Sequence, residues 1–286
     1  MNKIFTLIGA VAFMSNALAQ ELPKPSPAAK VEQRVGLTDI TVEYSRPGVK
    51  DRVIWGELVA YDEVWRAGAN KATKLETTSD IKVNGNVLPK GSYAVFITPS
   101  ERGPWTIAFN KNTEQWGTSE YNADENAFTT TSLARDVDHA SERLEFHFTD
   151  VDMDGATLTM TWAGKEIDLT IEADPTEQAY TNIAKAIEEA EEDKKWRVYR
   201  SAASYAETVG NTKQGLEWIK MSTDLHESWY SYWVYAELLA SSGDNEGAVS
   251  KAKMAIEIGE RVAKEEGNTF GYTDRINEDI AKWSSK

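Results

Sequence analysis

Two hydrophobic periodicities share this chain, and they change over once, near Asp174-Pro175. Through residues 29–173 apolar and polar positions alternate in short runs. Asp39-Ile40-Thr41-Val42-Glu43-Tyr44, Leu144-Glu145-Phe146-His147-Phe148 and Glu166-Ile167-Asp168-Leu169-Thr170-Ile171 are examples. A period of two puts every second side chain on one face, so each run predicts a strand with one buried side. Asn84-Gly85, set between Ile81-Lys82-Val83 and Val87-Leu88, predicts a two-residue hairpin turn. Pro89-Lys90-Gly91 and Gly103-Pro104 punctuate the chain before the runs Ser92-Tyr93-Ala94-Val95-Phe96-Ile97 and Trp105-Thr106-Ile107-Ala108-Phe109. Short strands at this spacing predict a mainly β domain, an antiparallel β-sandwich over residues 20–173, with one short helical or irregular insertion around 54–65.

Beyond Asp174-Pro175 apolar residues recur at spacings of three and four, as in Ile183, Ile187 and Ala190, then Trp196 and Tyr199. Residues 174–286 therefore predict an all-α domain. The segment also repeats. Tyr199, Ala203, Ala206, Gly210, Gly215 and Ser222 return 33 residues later as Tyr232, Ala236, Leu239, Gly243, Ala248 and Ala255. Small residues at such positions let paired helices approach closely, and the pattern resembles tetratricopeptide helical hairpins, with Gly215 standing where Ala is usual. Helices over 176–190 and 273–283 flank the two units. Such a stack offers faces to a protein partner, and the aromatic positions Tyr199, Trp218, Tyr232 and Tyr235 are the candidates to meet it.

Composition narrows the setting. Met1-Asn2-Lys3, an apolar run over 4–14 and Ala17-Leu18-Ala19 have the order of a secretory signal peptide over residues 1–19. The expectation is an exported protein, periplasmic or extracellular in a Gram-negative bacterium, and not membrane-spanning, because no run approaches the roughly 20 apolar residues a crossing needs. The 286 residues contain no Cys, which removes disulfides, thiolate metal sites and cysteine nucleophiles together. The formal net charge of -15 argues against a nucleic-acid partner, whose phosphates require a basic surface.

Chemistry must then be sought in local clusters. No Gly-x-Ser-x-Gly elbow, Lys-bearing phosphate loop or His-Glu-x-x-His is present, so no catalytic residue is assigned and no cofactor is called for. The three His, at 139, 147 and 226, form no ligand set by spacing. Asp150, Asp152 and Asp154, followed by Gly155, open like a calcium loop, but the twelfth position is Thr161 where a bidentate Glu belongs; a polar hairpin turn is the competing reading. The densest block is Ser45-Arg46-Pro47-Gly48-Val49-Lys50-Asp51-Arg52-Val53-Ile54-Trp55-Gly56, continued by Val64-Trp65-Arg66-Ala67-Gly68-Ala69-Asn70. Arg46, Lys50, Arg52 and Arg66 supply cationic donors, Asn70 an amide, and Trp55 and Trp65 flat apolar faces. That set suits a small anionic or sugar-like ligand. The competing reading is a loop whose donors satisfy its own carbonyls while its Trp residues enter the core.

These strings carry a resemblance. Arg46-Pro47-Gly48 with Lys50 and Arg52, Trp65-Arg66-Ala67-Gly68-Ala69-Asn70, Leu88-Pro89-Lys90-Gly91-Ser92-Tyr93 and Trp105-Thr106-Ile107-Ala108-Phe109-Asn110-Lys111 resemble an exported bacterial family catalogued as domain of unknown function twenty-nine-eleven, DUF2911, over about residues 25–171. The family usually has Gly between the Lys and the Arg of the first string, where this chain has Asp51. The resemblance implies an exported β domain, often followed by a helical tail, and no established activity. The functional expectation is a non-enzymatic binding or scaffold protein with a ligand pocket at the Arg/Trp loop and a partner-binding tail. The alternatives are an envelope or glycan-acting hydrolase using Asp62 or Glu63, and a purely structural component of an envelope complex.

Overall fold

A computed structural model describes residues 22–138 and 141–285. The expected signal peptide over 1–19 and His139 lie outside the described residues. The chain divides into two compact units, one ending at Ala173 and the other beginning at Asp174.

The first unit is built from twelve described strands in two antiparallel sheets. One sheet runs β1(Ala28–Val35), β2(Thr38–Ser45), β3(Thr73–Thr77), β6(Gly91–Thr98), β7(Pro104–Asn110), β8(Asn126–Leu133) in that spatial order. The other runs β10(Glu145–Thr149), β11(Gly155–Trp162), β12(Lys165–Glu172), β4(Ile81–Val83), β5(Asn86–Leu88), with the short β9(Arg135–Asp136) also on β12. The period-two runs become strands because each can bury its apolar half. In β2, Thr38, Ile40, Val42 and Tyr44 point inward while the residues between them meet solvent. The inner faces of both sheets share one core that includes Ile40, Val42, Leu75, Ile97, Ile107, Leu158, Ile167 and Ile171. Asn84 and Gly85 both take positive φ, 48° and 77°, as the tight hairpin requires. The Asn84 amide then joins the sheets, since its Nδ2 donates to the Thr131 carbonyl at 3.0 Å and its Oδ1 accepts from Thr170 N at 2.8 Å.

Strand β6 departs from simple alternation. Ala94 to Ile97 are all buried because the outer side of the sheet here is also covered, in a small cluster of Ala72, Ala94, Phe96 and Ala108 against Val64 and Tyr121. The insertion over 54–65 is irregular, without a helix.

The second unit contains α1(Thr176–Glu189), α2(Lys195–Thr208), α3(Thr212–Leu225), α4(Trp229–Ser241), α5(Asn245–Glu265) and α6(Thr273–Ser284). Helices α2–α3 and α4–α5 are successive hairpins, and the 33-residue spacing recurs in their turns. Gly210 and Gly243 have φ of 74° and 91°, and the following Asn211 and Asp244 cap α3 and α5 by accepting from Gln214 N and Gly247 N. Gly215 has a physical reason: a Cβ there would lie 2.6 Å from Leu238 Cδ2, so α3 meets α4 only where that carbon is missing. No helix among the described residues is long and apolar enough to cross a membrane.

Acidic side chains from three helices crowd one place in this unit. Burial first, then the charges of Glu207 on α2 and Asp279 on α6, raise the Glu237 carboxyl of α4 to about 7, against a smaller opposing pull from Arg275. Glu207 is also raised, mainly by burial.

Two predictions follow from this packing. Gly215→Ala is expected to cost the helical unit about 1–2 kcal/mol despite alanine's better helix propensity, read by denaturant melts followed by circular dichroism. The raised Glu237 means that the folded state holds a proton the unfolded state releases between the ordinary carboxylate range and about pH 7, so the unit loses stability as pH rises through that window. Glu237→Gln should therefore raise the melting temperature more at pH 8 than at pH 5; an equal effect at both would contradict the assignment.

Candidate functional site

Most of the Arg/Trp block is fastened into the β unit. Arg46 Nε donates to the Leu144 carbonyl and its Nη2 to Glu145 Oε2, both at 2.9 Å, while the Arg46 carbonyl accepts from Arg143 Nη1 at 3.1 Å. Arg52 folds back on its own loop, with Nε donating to the Val49 carbonyl at 3.0 Å and Nη2 to the Gly48 carbonyl at 2.6 Å. Lys50 N donates to Glu142 Oε1 at 3.2 Å. Lys50 and Asp51 have φ of 51° and 55°, and Arg52 N closes the turn on the Val49 carbonyl at 3.2 Å. Two consecutive left-handed residues favour Gly, Asn or Asp, which is why Asp51 can stand where the related pattern has Gly.

The tryptophans enter the core end of the sandwich. Trp55 lies 4.6 Å from Trp105, 5.7 Å from Trp162 and 5.8 Å from Trp65 between ring centroids, and Trp65 stacks on Trp162 at 5.7 Å. Trp55 Nε1 donates to the Ala163 carbonyl and Trp65 Nε1 to the Gly68 carbonyl, each at 3.2 Å. Neither ring is offered to a ligand as a free face.

Arg66 differs from its neighbours. Its side chain is half-buried, its Nε is shielded from solvent, and no hydrogen bond or ion pair reaches the guanidinium among the described residues. Burial pulls its pKa down, the mark of a desolvated cation without a counter-charge. It sits on a strained turn: Ala67 has φ 52° and Asn70 φ 62°, and a Cβ on Gly68 would stand 3.1 Å from both the Ser45 carbonyl and Thr73 Oγ1. The turn is held by Thr73, whose N and Oγ1 donate to the Arg66 and Ala67 carbonyls, and by Asn70 Nδ2, which donates to the Ser26 carbonyl and Ser45 Oγ.

Beside that turn an open groove of about 570 Å³ runs over the outer side of β1, β2 and the start of β3. Its lining includes Lys24, Lys30, Asn70, Lys71, Lys74 and Trp116, with Glu43 and Glu114. Strand pairing builds the charged floor, because Lys30 stands opposite Glu43 and Glu43 opposite Lys74. Lys74 Nζ lies 3.1 Å from Glu43 Oε2 and Lys71 Nζ 3.0 Å from Glu114 Oε2, whereas Lys24 has no ion pair among the described residues. The Glu114 carboxyl is held below its ordinary range by the Lys71 hydrogen bond. Trp116 is 60% exposed, and its backbone bridges that of Lys71. Lysines outnumber acids on the lining of an otherwise acidic protein, next to an open indole face.

Of the sequence candidates, Asn70 reaches the groove, and Arg66 lies outside its lining on the same turn. Arg46, Lys50, Arg52, Trp55 and Trp65 build the loop and its anchor instead. Asp62 and Glu63 are exposed and form no ion pair with Arg52 or Arg66. The aspartate hairpin resolves as a turn: Asp152 Oδ1 accepts from Asp154 N and Gly155 N, and Asp150 accepts from Thr149 Oγ1. No cluster of three or more metal-ligating side chains occurs among the described residues. Sequence reasoning missed Lys24, Lys30 and Trp116. The signal for Trp116 was available, since a lone indole in the polar stretch Asn112-Thr113-Glu114-Gln115 has no strand to bury it.

In the helical unit, Trp218 packs against Tyr180 at 5.5 Å, and Tyr232 and Tyr235 bracket Lys251 Nζ at 5.4 and 5.0 Å. Tyr199 is half-buried. The freer aromatic surface lies elsewhere, at Tyr230 and Tyr272.

A family model described as "Protein of unknown function (DUF2911)" matches residues 26–171. No curated protein and no solved structure matches the chain.

The turn at Asp51 gives a direct check. Asp51→Gly should leave the β unit at least as stable as the parent, whereas Asp51→Val, whose branched Cβ resists positive φ, should cost about 1–2 kcal/mol in chemical melts.

Proposed function

The chain belongs to the DUF2911 family of proteins of unknown function, and on that premise we propose that it is an exported, non-enzymatic binding protein whose β unit holds an anionic, sugar-like ligand and whose helical unit docks a protein partner. The observation that carries the ligand reading is the groove, where Lys24, Lys30, Lys71 and Lys74 gather beside the exposed Trp116 in a chain of net charge -15. Ammonium groups attract carboxylate or sulfate substituents, and an exposed indole face gives a sugar ring an apolar surface to lie on. Export is read from the leader pattern of residues 1–19 and the absence of Cys. Partner docking is read from the hairpin pair of the second unit.

The test is thermal unfolding of the whole chain with a glucuronic-acid oligosaccharide, a neutral glucose oligosaccharide of equal length, and inorganic phosphate. At about a hundred times its dissociation constant a ligand adds roughly 2.7 kcal/mol, which should raise the β-unit transition by about 3–5 °C. The expected result is a shift with the acidic oligosaccharide alone, lost in Lys71→Glu and reduced in Trp116→Ala. Equal shifts with the neutral sugar, or none with any of the three, would overturn the assignment of the groove.

A further inference from the structure

The helical unit carries a second cationic centre, of different construction from the groove. At the start of α2, Trp196 supports two guanidinium groups: Arg197 Cζ lies 5.1 Å and Arg200 Cζ 5.4 Å from its ring centroid. Arg200 is also 5.0 Å from the centroid of Tyr230 on α4. Neither arginine side chain makes a hydrogen bond or an ion pair among the described residues. The Glu227 carboxylate, three positions before Tyr230, pairs with Arg261. Burial lowers the Arg200 pKa, Tyr230 opposes that shift, and the adjacent charge of Arg197 adds a smaller lowering.

Aromatic rings supply these cations with attraction to their faces, and that leaves the guanidinium edge unspent. A guanidinium whose faces are held by rings presents its N–H donors in a fixed plane, the arrangement that forks onto a carboxylate. Two like charges three residues apart on one helix repel each other in the absence of an anion. Next to Arg200 the surface continues as aromatic carbon. Tyr230 is 39% and Tyr272 48% exposed, and Trp229 joins them with centroids 5.4 Å from Tyr230 and 4.7 Å from Tyr272.

We propose that this surface binds an acidic peptide segment of a partner protein, with carboxylates on Arg197 and Arg200 and a neighbouring apolar side chain on the Tyr230–Trp229–Tyr272 strip. This rests on the partner-docking reading of the helical unit and supplies its chemistry. Charge complementarity selects the acid, and the adjoining aromatic strip selects a peptide over a free anion, which would use the arginines alone.

The test uses the whole chain and fluorescence anisotropy with a fluorescein-labelled peptide, Gly-Ser-Glu-Asp-Glu-Phe-Gly-Ser. Its controls are the same peptide with Gln and Asn for the acids, and the same peptide with Ala for Phe. Saturable binding of the acidic peptide is expected, weakened about tenfold or more by Arg200→Gln and by the uncharged peptide. Arg200→Lys should weaken it nearly as much, since an ammonium keeps the charge and loses the fork. The Ala peptide should bind more weakly than its Phe parent. Circular dichroism melts of each variant separate lost binding from lost folding, and Tyr230→Phe, which keeps the ring, should retain binding. Lys71→Glu in the groove should leave peptide binding unchanged, so the failure of one site is distinguishable from failure of the other. The proposal is overturned by no binding, by binding indifferent to Arg200→Gln in a folded variant, by equal displacement with millimolar phosphate, or by a concentration-dependent dimer that Arg200→Gln dissolves, which would give the surface to a second copy of this chain.

Discussion

The β unit depends on where four indoles meet. Trp55 and Trp65 come from an irregular loop, Trp105 from β7 and Trp162 from β11, and their rings close over one another at centroid separations of 4.6–5.8 Å. Each such ring removes roughly 150–250 Å² from water, worth on the order of 4–6 kcal/mol at about 25 cal/mol per Å². A loop rich in Gly, Arg and Asn has no regular hydrogen-bond ladder to order it, so this burial is what gives it one conformation. The arginines then add side-chain ties, Arg52 to the Gly48 and Val49 carbonyls of the loop and Arg46 to the Leu144 carbonyl beside β10. Once Trp65 is seated, residues 66–70 must turn sharply to rejoin β3, and the strained Ala67 and the unpaired Arg66 are consequences of that geometry.

The two units place charge by different means. In the β unit, strand pairing brings Lys30, Glu43 and Lys74 into a row, so attraction and repulsion are interleaved at the surface where water screens both. In the helical unit, close packing at Gly215 and the small residues around it draws helices together, and Glu207, Glu237 and Asp279 are brought close enough to feel one another. The same stacking sets Arg200 between Trp196 and Tyr230, two rings that lie on different helices.

Much of the fold was legible in the sequence because it rests on periods and turn chemistry that act locally. Alternation announced β2, β10 and β12, Asn84-Gly85 announced its hairpin, and the 33-residue spacing anticipated paired helical hairpins whose caps, Asn211 and Asp244, also recur at that interval. The candidate site was legible only in part. The Arg/Trp block stood out by composition, yet composition does not say which way a guanidinium turns: Arg46 and Arg52 reach carbonyls, while Arg66, in the same block, reaches none. Lys30 and Lys74 are 44 positions apart and become neighbours across Glu43 only through the strand order β1-β2-β3. Tyr232 and Tyr235 stand out as aromatic positions on one helix, but their sequence positions do not show that Lys251 of the following helix lies over both rings.

The ties that hold the Arg/Trp loop span most of the β unit. Arg46 is fixed by Leu144 and Glu145, 98 and 99 positions further along, and Trp55 by Ala163, 108 positions further. Contacts of such sequence separation form after the chain entropy of a large loop has been given up, so they assemble late. During synthesis the loop therefore has no home until the segment through Ala163 has left the ribosome. A β unit cut short before β11 would keep the block's residues and lose the shape that gives them meaning.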